Sequence, residues 1–143
     1  PLTFYEESDA FKLFLLDCGL LGAMNMTDAT EAMLTDNIFE EYNGALTEQL
    51  VLQELKCVPN LPVYYYNKPN SQQEIDFVIE IKNRAIPVEA KAGENLQAKS
   101  LKQFIQENKS DKAIKTSLKQ YKGNEIIDNV PLYALYCYLQ ELH

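Results

Sequence analysis

Two short runs of alternating apolar and polar residues, Glu74–Ile81 and residues 85–90, stand almost back to back in the chain. In the first, Ile75, Phe77, Ile79 and Ile81 share one face of a strand, and Glu74, Asp76, Val78 and Glu80 share the other. In the second, Ile86, Val88 and Ala90 oppose Ala85, Pro87, Glu89 and Lys91. A two-residue turn at Lys82-Asn83 predicts a hairpin that pairs Ile81 with Arg84 and sets Asp76 directly across from Glu89. A turn centred on Asn83-Arg84 would pair Asp76 with Lys91 instead. Both registers place Asp76, Glu89 and Lys91 on one face; a three-residue loop would not. Pro87 has no N–H for a ladder, which predicts an edge or irregular position for the second strand.

The period changes to that of a helix upstream. Residues 37–57 read as helical, with a break at Asn43-Gly44, and Glu48 is followed at i+3, i+4 and i+7 by Val51, Leu52 and Leu55. Glu48 therefore projects from a partly apolar stripe, where an unpaired carboxylate is costly. It is either a site residue or a rim glutamate whose stem covers the stripe. Elsewhere residues 11–16 and 20–24 are apolar runs read as strand or short helix near a turn. Residues 27–34 carry a helix-capping signal, and residues 62–66 form a strand candidate with three successive tyrosines. Residues 98–108 read as a helix, 113–118 as a strand and 131–142 as a helix with Cys137 in the core. Helix, three strands, helix, strand and helix predict an α/β domain.

Composition narrows this. A length of 143 residues, 46% hydrophobic, suits one folded domain, and no run approaches the roughly 20 apolar residues of a membrane span. The chain opens at Pro1 without a methionine, which reads as a fragment of something longer. Cys18, Cys57 and Cys137 give neither a zinc spacing nor a disulfide framework and fit a reducing cytoplasm. A single histidine, His143 at the last position, argues against His-based catalysis.

The net charge of −8 argues against nucleic acid, but its distribution is uneven. Residues 1–60 hold eleven acids and two lysines, whereas residues 99–122 hold seven lysines and no arginine against Glu107 and Asp111. That basic block could follow a phosphate backbone or be a solvated helix face. Asp76 and Glu89, with Lys91 one side-chain step away, suggest a divalent-metal site. The competing reading is an amphipathic hairpin with its charges in water.

An acidic helix residue, a hairpin carrying Asp and Glu-x-Lys, then a helix and a strand together resemble the restriction-endonuclease-like superfamily with its PD-(D/E)xK motif. Gly44-Ala45-Leu46-Thr47-Glu48, Glu74-Ile75-Asp76-Phe77 and Ile86-Pro87-Val88-Glu89-Ala90-Lys91-Ala92-Gly93 resemble the C-terminal nuclease-fold domain of bacterial and archaeal AAA-type ATPases. The run from Phe14 to Gly22 resembles the lead-in to that domain. Ile75 stands where the superfamily motif has proline.

The resemblance implies a single nuclease-fold domain over 1–143, with a central mixed sheet of about four to five strands flanked by helices. It further implies that Asp76 and Glu89, completed by Glu48, hold Mg²⁺ or Mn²⁺, and that Lys91 is the catalytic lysine. The partners it implies are DNA and an N-terminal ATPase module of the same chain. Two expectations for function stand side by side: a metal-dependent endonuclease, or a catalytically silent module of the same fold that binds DNA or a protein.

Overall fold

A computed structural model of the chain describes residues 1–24, 40–68, 71, 73–92 and 98–142. A single-turn 3₁₀ helix (Leu2–Tyr5) and a short helix α1 (Cys18–Met24) precede α2 (Glu40–Cys57), which runs through Gly44 without the expected break. Strands β1 (Val63–Asn67), β2 (Glu74–Ile81) and β3 (Arg84–Ala90) follow, then α3 (Lys99–Asn108), β4 (Ala113–Ser117) and β5 (Ile127–Pro131). A 3₁₀ turn (Leu132–Ala134) leads into α4 (Leu135–Leu142). The helix expected at 27–34 lies outside the described residues.

The result is a mixed five-stranded sheet in the order β1-β2-β3-β4-β5, antiparallel from β1 to β3 and parallel from β3 to β5. Val51 and Leu55 of α2 and Leu135 and Leu139 of α4 close one face over Phe77, Ile79, Ile86, Val88, Ile114 and Val130. Leu101 and Phe104 of α3 cover the other face, over Ile75, Val78 and Ala113. Layers of helix, sheet and helix bury both faces, which is why β4 is buried at every position. No helix among the described residues is long and apolar enough to cross a membrane.

The hairpin takes the first of the expected registers. Ile81 pairs with Arg84 and Phe77 with Val88, around a turn in which Lys82 and Asn83 both have positive φ, 51° and 61°. This is the type I′ geometry whose twist matches its flanking strands.

Four expectations are corrected. Ile75 does not share a face with Phe77: Tyr64 pairs with Val78 but Tyr66 with Ile75, so β2 carries one extra residue at Asp76-Phe77. That bulge reverses the phase and sends Ile75 under α3. Pro87 sits in an interior strand rather than at an edge. It faces Val78 in a pair that exchanges no hydrogen bonds, and pairing with β4 begins only at Val88, so its missing N–H disrupts no bond. Finally, Pro131 closes a strand instead of starting a helix. Strand β5 escapes detection because its centre, Asp128-Asn129, is polar yet buried. In α4 the buried residues are Leu135 and Leu139, one turn apart, which leaves Cys137 exposed.

Candidate metal and phosphate site

The bulge in β2 shapes the site. In a regular hairpin the Ala90 N–H would bond a β2 carbonyl; here the carboxylate Oδ2 of Asp76 accepts it at 2.7 Å, and the paired ladder stops at Phe77 and Val88. Asp76 is thus held on the backbone beside Glu89. Burial, then the negative charges of Glu89 and Glu48, push its carboxyl up to about 7, against the Ala90 hydrogen bond and the Lys12 ammonium, which pull it down. The expected crowding of carboxylates is realised at Asp76.

Glu89 is 6% exposed. Its Oε1 pairs with the Lys91 ammonium at 2.6 Å, while its Oε2 is buried with no hydrogen-bond partner among the described residues. Lys91 lies just past β3, and its N–H donates to the Thr116 carbonyl at 3.0 Å, so β4 steadies its backbone. Register places Lys115 of β4 next to Glu89. Burial, and then repulsion from Lys102, Lys119 and Lys91, hold the Lys115 ammonium below its usual range, with Glu89 opposing them. On this side Lys91 pairs with the Glu89 carboxylate and Lys115 lies beside it, with Lys102 and Lys119 close enough to act on Lys115.

The other side is acidic. Glu48 stands one turn before buried Val51 on α2, as its stripe predicts, and its Oε2 lies 3.6 Å from the Lys12 ammonium. Lys12 meets Glu74 at 2.6 Å and sits 5.5 Å from the centre of the Tyr65 ring. Burial would lower its pKa, but the Glu74 hydrogen bond and the charges of Glu48, Glu74 and Asp76 outweigh that and raise it. The structure thus brings Asp76, Glu89 and Lys91 together and engages Glu48 with Lys12. Among the described residues no group of three or more His, Cys, Asp or Glu side chains is arranged to hold a metal ion.

Two carboxylates suffice for Mg²⁺ or Mn²⁺, which keep several waters and take the remainder from phosphate. Asp76 and Glu89 fit that demand. Both are hard oxygen donors; one is short of compensating charge, and the other carries a buried oxygen without a partner. A hollow of about 1060 Å³ opens along β1, with Lys12 on its wall and without Asp76, Glu89 or Lys91. The carboxylates and Lys91 are therefore grouped by charge and not by this hollow.

Sequence reasoning missed Lys12, Glu74 and the particular role of Lys115. Lys115 had a signal, a lysine beside Ile114 in the middle of an alternating strand. Lys12, the lone charge within the apolar run 11–16, had only a faint one.

No curated protein and no solved structure matches the chain. A family model, described as a domain of unknown function (DUF4143), matches residues 43–137, a span that takes in Glu48, Asp76, Glu89, Lys91 and all five strands. With well over half of its length matched, the chain belongs to the DUF4143 family.

Proposed function

We propose that this domain is a metal-dependent nuclease of restriction-endonuclease-like fold. It would act on DNA phosphodiesters as the C-terminal accessory domain of an AAA-type ATPase. The observation that carries the reading is the pairing of an under-compensated Asp76 with a Glu89 whose buried Oε2 lacks a partner, in a hairpin that ends on Lys91. The order of one helix, three strands, a helix and a strand supports it, being compatible with that fold.

Asp76 and Glu89 would hold Mg²⁺ or Mn²⁺, which supplies a Lewis acid for the phosphoryl oxygen and an acidified water. The remaining work falls to the chain. Lys91, held by Glu89, is placed to orient or deprotonate the attacking water or to offset charge on the phosphoryl oxygens. Lys102, Lys115 and Lys119 extend the positive side, where a polyanionic backbone would lie. The site is then split by charge, with cation-holding carboxylates on one side and phosphate-facing lysines on the other.

A second reading, a catalytically silent module of the same fold, draws on the engagement of Glu48 by Lys12 and on the net charge of −8. Incubation of the protein with linear and supercoiled DNA plus Mg²⁺ or Mn²⁺ separates the two. The nuclease reading expects cleavage that EDTA abolishes and that Lys91→Ala lowers by roughly 10²-fold or more. Cleavage that survives the substitution rejects it, as does retention of DNA without cutting under either metal.

A further inference from the structure

Lys12 reaches the acidic side from outside the helix and hairpin that carry the other site residues, on a stretch with no regular structure of its own. That stretch is fastened to α2 by two glutamines one helical turn apart. Gln49, 2% exposed, accepts the Leu15 N–H at 3.0 Å and donates to the Leu15 carbonyl at 2.9 Å, reading the main chain as a neighbouring strand would. Gln53 accepts the Cys18 N–H at 2.9 Å. Phe14 stacks at a tilt on Phe77, ring centres 5.7 Å apart, so the segment is also anchored to the bulged strand. A buried amide spent on main-chain bonds fixes direction as well as proximity. Lys12, three residues before Leu15, is delivered to the carboxylates.

Three carboxylates act on this one ammonium, Glu74 at 2.6 Å, Glu48 at 3.6 Å and Asp76 through its charge. A divalent cation at Asp76 would be drawn by the same negative potential and repelled by the ammonium that partly cancels it. We propose that Lys12 is the built-in counter-cation of Glu48, Glu74 and Asp76, and that it competes with a divalent metal ion for the acidic side of the site. This rests on the reading in which Asp76 and Glu89 hold a metal. The looser contact, with Glu48, is the one placed to give way as a metal enters, while Glu74 keeps its grip on the lysine.

Titration calorimetry with Mn²⁺ on the whole chain tests the competition. Lys12→Met keeps the stem and removes the charge, and should bind Mn²⁺ roughly tenfold more tightly than the wild type. Lys12→Gln should do the same should the methionine variant fail to fold, and Lys12→Arg should match the wild type. Asp76→Asn should weaken binding in either background. A charge-free variant that binds Mn²⁺ equally or more weakly overturns the proposal and leaves the metal reading in place. If neither the wild type nor either charge-free variant binds Mn²⁺, both fall. Tighter Mn²⁺ binding without DNA cleavage retires the nuclease reading and sustains the role of Lys12.

Discussion

Two aspartates withdrawn from solvent into one sheet have opposite surroundings. Asp128 of β5 is 3% exposed and fully answered. Lys112 pairs with its Oδ2 at 2.6 Å, the Tyr138 hydroxyl donates a short hydrogen bond to the same oxygen, and the Asn124 N–H reaches Oδ1 at 3.2 Å. Burial alone would raise its pKa, but these partners hold it below the usual carboxylate range, while burial and then the bond to Asp128 push the Tyr138 phenol up. Asp76 of β2 has one backbone donor and a shared lysine against two neighbouring carboxylates, and its pKa rises to about 7. The first arrangement is a finished structural ion pair. The second is a carboxylate kept short of positive charge, the condition under which a metal ion gains affinity and an apo protein loses stability.

The same substitution made at both positions is the sharpest way to break this contrast. Asp128→Asn strips Lys112 of its counter-charge and should destabilise the fold by about 2–4 kcal/mol at neutral pH, read from urea unfolding. A folded pKa below the unfolded one means that this stability is present above the unfolded pKa near 4 and is lost as pH falls through the folded value. The loss caused by Asp128→Asn should therefore shrink on acidification. An effect under about 1 kcal/mol at pH 7 would place Asp128 with exposed ion pairs and dissolve the comparison.

Next in size is Tyr138→Phe, which removes one donor to a charged acceptor and leaves Lys112 in place. The expected cost is about 1–2 kcal/mol, below the usual range for bonds to buried charges because Tyr138 is only half-buried. If Asp128→Asn and Tyr138→Phe are combined, the loss should fall short of additivity, since both remove the same contact.

What was legible in the sequence divides along the same line. The register of the hairpin and the projection of Glu48 from an apolar stripe depend on residues close in the chain, and a two-residue turn and a helical period reveal them. The bulge at Asp76-Phe77 does not, because it is a mismatch between β1 and β2 rather than a property of either strand. Asp128 and Asn129 look like a polar linker. Their partners are scattered over Lys112, Ser117, the 119 and 120 carbonyls and Tyr138, so the burial of β5 is written in distant residues. Lys12 is hidden for the same reason: Glu48 and Glu74 become its neighbours only after Gln49 has captured Leu15. Patterns of one element were readable, and polar contacts between elements were not.

The smallest expected effect has the opposite sign and discriminates best. Asp76→Asn retains an oxygen for the Ala90 N–H and removes a charge that Glu89 and Glu48 oppose. A folded pKa near 7 against an unfolded value near 4 means that folding takes up a proton, so the wild type loses stability as pH rises from about 4 to about 7 and stays penalised above that. The variant should escape this and be more stable in EDTA by about 1 kcal/mol at pH 8, a rise of roughly 3 °C in Tm, with the gain fading toward pH 4. A shift of this size in a fully enclosed site would carry more, but Asp76 retains some solvent access. Mn²⁺ should reverse the order, because a cation bound to the folded wild type stabilises it while the variant has lost a ligand. Thermal melts at pH 5 and pH 8, with EDTA and with Mn²⁺, give the four values required. A variant less stable than the wild type at pH 8 in EDTA would make Asp76 a structural carboxylate like Asp128, and the site would lose its strongest physical signature.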